Sequence, residues 1–181
     1  SPLNAVLGFT QLLRDEHGRA DAALRQRWLD HVELAGRHLL ALIDDVLDLS
    51  RVAGGEMRLN LKPVALDELL HSTLPLVEQQ ARATQVSVEV QGNVQRVLQT
   101  DPLRLRQVLL NLLSNAIKYN RPGGHVHVSV ADAADGLVAL QVADSGRGID
   151  PASIRGAFEP FNRLGVDGGT VEGTCIGLAI A

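Results

Sequence analysis

Apolar residues recur at helical spacing from the first positions of the chain. Leu3, Val6, Leu7 and Leu13 lie on one helical stripe. His17-Gly18-Arg19-Ala20-Asp21 interrupts that stripe, and Asp21 is placed to cap a second helix. In the second helix Trp28, Val32, Ala35, Leu39, Leu42, Val46 and Leu49 step by four and three without a break. Three such heptads predict a bundle seam rather than a generic surface helix. Two helices alone make a poor core, whereas two hairpins make a four-helix bundle. Residues 1–51 are therefore expected to form a homodimer. Packing of the seam against the rest of the chain is the alternative.

Gly54-Gly55 ends this pattern and marks a hinge. Beyond it the period changes. Residues 57–64 alternate weakly, 66–83 read as a helix, and 86–90 and 96–99 read as strands. Asp101-Pro102 opens a further helix, with Asp as N-cap and Pro at the first helical position. Arg121-Pro122-Gly123-Gly124 closes it. Residues 125–131 and 137–143 are two more strands, joined by a turn holding Asp135-Gly136. The expected fold is α+β: a helical hairpin over residues 1–53, then a mixed sheet with helices on one face over residues 56–181.

The helix after Asp101 carries polar residues of an unusual kind. Asn111, Asn115 and Lys118 are spaced by four and three, which puts them on one helical face. Two amide carbonyls are ligands that Mg²⁺ accepts, and an ammonium suits a phosphate. Solvated surface residues would look the same. After the last strand, Asp144-Ser145-Gly146-Arg147-Gly148-Ile149 combines a carboxylate with glycines that permit close backbone approach. Taken alone it also describes an ordinary turn. Gly173, Thr174 and Gly177 form a second glycine cluster opening a helix, and helix N-termini attract anions. The glycine-rich stretch 165–173 is poor in apolar residues and is expected to be mobile.

Composition narrows the classes. At 181 residues, 45% of them apolar, the chain can hold one ordinary domain, or a small domain with a helical appendage. Aromatic residues make up only 3%, so aliphatic side chains must form the core. A net charge of −4 without a basic run argues against nucleic acid and against an anionic membrane surface as partners. No apolar run approaches the roughly 18 residues of a membrane span, and no signal peptide is visible. The single Cys175 cannot form an internal disulfide, which fits a reducing cytoplasm. Ser1 opens inside one helical pattern and Ala181 closes inside another. The expectation is a cytoplasmic piece of a longer protein, itself soluble or membrane-anchored.

The order Asn-x3-Asn-x2-Lys, Asp-x-Gly-x-Gly, Phe-x-Pro-Phe and Gly-Thr-x-Ile-Gly-Leu resembles the N, G1, F and G2 boxes of the sensor histidine kinases. Ser1-Pro2-Leu3-Asn4-Ala5 resembles the tail of that family's phosphoacceptor box. Leu47-Asp48-Leu49-Ser50-Arg51 resembles the end of its second dimerisation helix. The resemblance implies a dimerisation and phosphotransfer hairpin followed by an ATP-binding domain. It implies Mg²⁺ and ATP as cofactors, autophosphorylation on a histidine, and transfer to an aspartate in the receiver domain of a response regulator. It implies that Asn115 ligates Mg²⁺, with Asn111 nearby on the phosphate side. Lys118 would contact a phosphate and Tyr119 would lie against adenine. Asp144 would read the adenine amino group, with Gly146, Gly148 and Ile149 beside the base. Arg163 would reach the γ-phosphate, and Gly173, Thr174, Gly177 and Leu178 would close the base of the lid.

The chain also departs from the pattern. The phosphoacceptor histidine would sit four residues before Ser1, and none of His17, His31, His38, His71, His125 and His127 has its context. Ser1 keeps a hydroxyl where the family carries a residue implicated in dephosphorylating the partner. Cys175 stands where the family usually has Gly. A Cβ there costs about 1–2 kcal/mol if the backbone is left-handed, and nothing if it is not. His125 and His127 share a strand face that would suit a metal, without a supporting carboxylate cluster in the sequence. Three rival readings are an ATP-binding scaffold without kinase activity, a relative of the gyrase, Hsp90 and MutL ATPases, and a pure interaction module. The heptad hairpin ahead of the nucleotide boxes disfavours the gyrase-type ATPase. Gln107 and Val108, where such ATPases need a carboxylate, disfavour it too.

Overall fold

The computed structural model describes residues 1–15, 21–54, 58–159, 162 and 178. The chain divides into two compact units, Ser1–Gly55 and Glu56–Ala181.

The first unit is a helical hairpin of α1 (Pro2–Asp15) and α2 (Ala22–Ala53). Asp21 caps α2 as its side-chain chemistry dictates: Oδ1 accepts the Leu24 N–H at 2.7 Å. Along α2 the heptad residues Trp28, Val32, Leu39, Leu42 and Leu49 are half-buried and Ala35 is buried, while Val46 stays exposed. On α1, Val6, Phe9 and Leu13 are half-buried, and the Phe9 ring stacks on His31 with centroids 4.7 Å apart. A second row on α2 stands exposed among the described residues. Leu29, Leu40, Ile43 and Leu47 are all exposed, Leu40 by 60%. Gly54 turns the chain out of α2, its N–H donating to Ser50 O. The rest of the expected hinge lies outside the described residues.

The second unit holds β1 (Lys62–Ala65), α3 (Leu66–Ala83), β2 (Ser87–Gly92), β3 (Val97–Thr100), α4 (Pro102–Lys118), β4 (His125–Asp132) and β5 (Val138–Asp144). β4 is central: it runs parallel to β2 and antiparallel to β5, giving a mixed sheet in the order β2-β4-β5. β1 and β3 form a separate antiparallel pair. Period-two alternation on β4 buries Val126, Val128 and Val130. They meet the apolar stripes of the two helices: Leu66, Leu69, Leu70, Val77 and Ala81 of α3, and Leu109, Leu113, Ala116 and Ile117 of α4. Thr73, also fully buried, satisfies its hydroxyl by donating to Leu69 O at 2.6 Å.

The strand expected over residues 57–64 is shorter than its alternation suggested. Only Lys62–Ala65 is strand, and 58–61 have no regular structure. Its partner β3 is only four residues long, so pairing cannot extend further. The Asn60 N–H is instead taken by Asp101 Oδ2 at 3.0 Å. The same carboxylate caps α4, Oδ1 accepting from Leu103 N at 3.0 Å and Arg104 N at 3.2 Å. The Asn60 N–H, then the Arg104 N–H, hold the Asp101 carboxyl below its ordinary value of 3.8. The Asp135-Gly136 turn takes the left-handed conformation at both residues, with φ of 57° and 72°.

Candidate functional site

The C-terminal half of α4 and the loop leaving β5 meet at one edge of the second unit. α4 buries Leu109, Leu113, Ala116 and Ile117, which turns the intervening face partly outward. Asn111, Asn115 and Lys118 are half-buried on that helix. Tyr119 follows at the C-cap, its N–H donating to Asn115 O at 3.0 Å. Lys118 Nζ stands 5.3 Å from the centre of the Tyr119 ring.

The loop is built to lie close against this helix end. Asp144 is the last residue of β5 and is exposed, and its Oδ1 accepts the Gly146 N–H at 2.8 Å. A Cβ added at Gly146 would fall 2.6 Å from Tyr119 O and 2.7 Å from Asp144 Oδ1, so only glycine fits. The Arg147 N–H donates to Tyr119 O at 3.4 Å, and its guanidinium carbon lies 4.9 Å from the Tyr119 ring centre. Gly148 has a φ of +69°, and Ile149 after it is exposed.

Two residues that sequence reasoning missed hold this edge together. Asn120 Nδ2 donates to Ala116 O and His125 O, both at 3.1 Å. Its Oδ1 accepts from Arg121 N at 3.0 Å and from Ser145 Oγ at 3.1 Å. Ser145 Oγ in turn accepts the His125 N–H at 2.9 Å. One amide thus joins the end of α4, the start of β4 and the loop after β5. The available signal was an Asn just past a helix end, a position where amides commonly cap.

Asn111, Asn115, Lys118, Tyr119, Asp144, Gly146, Gly148 and Ile149 therefore belong to two adjoining segments. Ser1 belongs to the other unit. Arg163, Gly173, Thr174, Cys175 and Gly177 lie outside the described residues, and Leu178 is helical and half-buried. His125 and His127 do share a strand face, with ring centroids 4.7 Å apart, and His127 Nδ1 is 3.6 Å from Glu89 Oε2. Among the described residues no three His, Cys, Asp or Glu groups are arranged to hold a metal ion. Nor is any helix among them long and apolar enough to cross a membrane.

Residues 100–181 match the family described as histidine kinase-, DNA gyrase B- and HSP90-like ATPase. Residues 1–55 match the His Kinase A (phospho-acceptor) domain. The cell-division control histidine kinase PdhS of Brucella suis is 33% identical over 167 residues, which is 91% of this chain. The chain spans only 16% of the length of that relative. A mycobacterial sensor histidine kinase, MprB, is similar in structure with a TM-score of 0.57 at 31% identity, over 66% of this chain and 76% of that one. Full-length ShkA in complex with AMPPNP matches 99% of this chain and 36% of its own, with a TM-score of 0.72 and 31% identity.

Proposed function

The chain belongs to the histidine kinase family, and from that premise we propose that its second unit binds Mg-ATP at the meeting of α4 and the loop after β5. The observation that carries this reading is the pairing of the α4 end with a loop pinned on it through Gly146, where a Cβ would strike Tyr119 O. In this reading Asp144 accepts from the adenine amino group and so prefers ATP to GTP. Tyr119 lies against the base, Lys118 meets a phosphate, and Asn111 flanks the phosphates. Arg163, Gly173, Thr174, Gly177 and Leu178 close over them.

The donor set fits Mg²⁺. It is the half-buried amide oxygen of Asn115, with Asn111 beside it toward the phosphates and, among the described residues, no cluster of three His, Cys, Asp or Glu groups, which suits an ion that keeps waters and phosphate oxygens as its other ligands. Bound there, the ion would neutralise charge on the phosphates. The parent protein then phosphorylates a histidine four residues upstream of Ser1. The imidazole nitrogen bonds to the γ-phosphorus while the bond to the β–γ bridging oxygen breaks and ADP departs. Transfer to a response-regulator aspartate follows. The hairpin, residues 1–51, joins two copies, and Ser1 offers its hydroxyl to hydrolytic dephosphorylation of the response-regulator partner. The domains run 1–53 and 56–181.

Titration calorimetry with ATP and GTP, with and without Mg²⁺, tests the site. Asp144→Asn replaces the accepting carboxylate by an amide that must offer its oxygen without charge. A charge-assisted hydrogen bond contributes about 1.5–3 kcal/mol. The expected loss is about ten- to hundredfold for ATP with little change for GTP. Equal affinities before and after the change would sink the assignment. In the parent protein, Mg-ATP should leave an acid-labile phosphate. Binding without that adduct would identify an ATP-sensing scaffold instead.

A further inference from the structure

We propose that Arg147 is a positioning residue for the nucleotide: it grips Tyr119 and presents the ring's other side to the base. The inference rests on the ATP reading above and adds to it a residue that the boxes leave unassigned, since Arg147 is the unspecified position between Gly146 and Gly148 in the Asp-x-Gly-x-Gly pattern.

Arg147 touches Tyr119 twice. Its N–H donates to Tyr119 O at 3.4 Å, and its guanidinium lies over the Tyr119 ring at 4.9 Å, within the range of a cation–π contact. The absence of a side chain at Gly146 is what allows this approach, because a Cβ there would stand 2.6 Å from the same Tyr119 oxygen. The loop is therefore registered on Tyr119 by backbone, and Arg147 sends its side chain back to that one residue. Lys118 also stands near the ring, at 5.3 Å. The two cations differ in what nucleotide would do to them. In this reading a phosphate draws the Lys118 ammonium away, whereas Arg147, held to Tyr119 by both backbone and guanidinium, keeps the ring. A planar guanidinium stacks on an aromatic face better than an ammonium, so Arg is the apt residue for the one that stays. An oriented ring loses less freedom when the base arrives, which appears as affinity.

A double-mutant cycle on the whole chain, read as Mg-ATP affinity by calorimetry, tests this. Arg147→Ala should weaken binding about two- to fivefold, the scale of an exposed cation–π contact. Arg147→Lys should recover part of that loss. In a Tyr119→Leu background, which keeps bulk but removes the π face, Arg147→Ala should change nothing further. A loss of equal size in that background would show that Arg147 acts on the nucleotide directly, by charge or contact, and would overturn the proposal. So would an Arg147→Ala chain that binds ATP as well as the unaltered one. An unaltered chain that binds no Mg-ATP would instead remove the nucleotide reading itself, and the clamp with it.

Discussion

At Gly146 the missing side chain does more than any side chain nearby. The loop runs so close to α4 that a single methyl would meet Tyr119 O at 2.6 Å and Asp144 Oδ1 at 2.7 Å. Neither neighbour is the free end of a flexible side chain, for one is backbone and the other holds the Gly146 N–H. Gly146→Ala must therefore push the loop off the helix end. Overpacking of this kind costs about 1–3 kcal/mol, or about five- to hundredfold in affinity when the displaced loop is the binding surface. The expected result is a large loss of ATP affinity with the melting temperature of the hairpin unit unchanged. An Ala variant that binds normally would mean that nucleotide does not use this approach. Asp144, Gly146 and Gly148 were legible in the sequence because glycines beside a strand-end carboxylate are a pattern. Asn120 and Ser145 were not, since their four-way junction joins segments that only the folded topology brings together.

Among the elements, α4 depends most on one terminal residue. Asp101 accepts from Asn60, Leu103 and Arg104 backbone N–H groups and ties an irregular segment to the helix start. Those donors favour the charged carboxylate, so its pKa in the folded chain lies below the unfolded value near 3.8. A depressed carboxylate stabilises the fold above the unfolded pKa, and that contribution is lost as pH falls through the folded value. Asp101→Ala should lower the melting temperature by about 5 °C at neutral pH. The gap to the unaltered chain should narrow steadily below about pH 3.8 in a pH series. A constant gap down to strongly acidic pH would assign the effect to packing instead. The cap and the helix were both readable, because Asp-Pro before an apolar stripe is a strong local signal. The length of β1 was not, because a strand ends where its partner does, and β3 lies more than thirty residues away in sequence.

The hairpin makes its largest statement at the scale of the molecule. Leu29, Leu40, Ile43 and Leu47 form an exposed row on α2 among the described residues, beside a heptad seam that is mostly half-buried, with Ala35 buried and Val46 exposed. The heptad reading found the seam but not this second row, since the four-and-three spacing follows one stripe of the helix and the exposed residues lie one position on from it. Burying one such side chain contributes about 1.5–3 kcal/mol, and a two-fold bundle counts each position twice. Replacing Leu40 and Leu47 by Ser should convert a dimer into a monomer in sedimentation equilibrium at micromolar concentration. An unaltered chain already monomeric there would end the bundle proposal. The scarcity of aromatic residues has a different, optical consequence. The chain holds one Trp and one Tyr, and they fall in separate units: Trp28 in the hairpin, Tyr119 at the end of α4. Indole emission excited at the red edge of its absorption reports the hairpin alone, and phenol emission reports the other unit. The loosening of either can thus be followed in unlabelled protein, without a probe being added to the surfaces that matter.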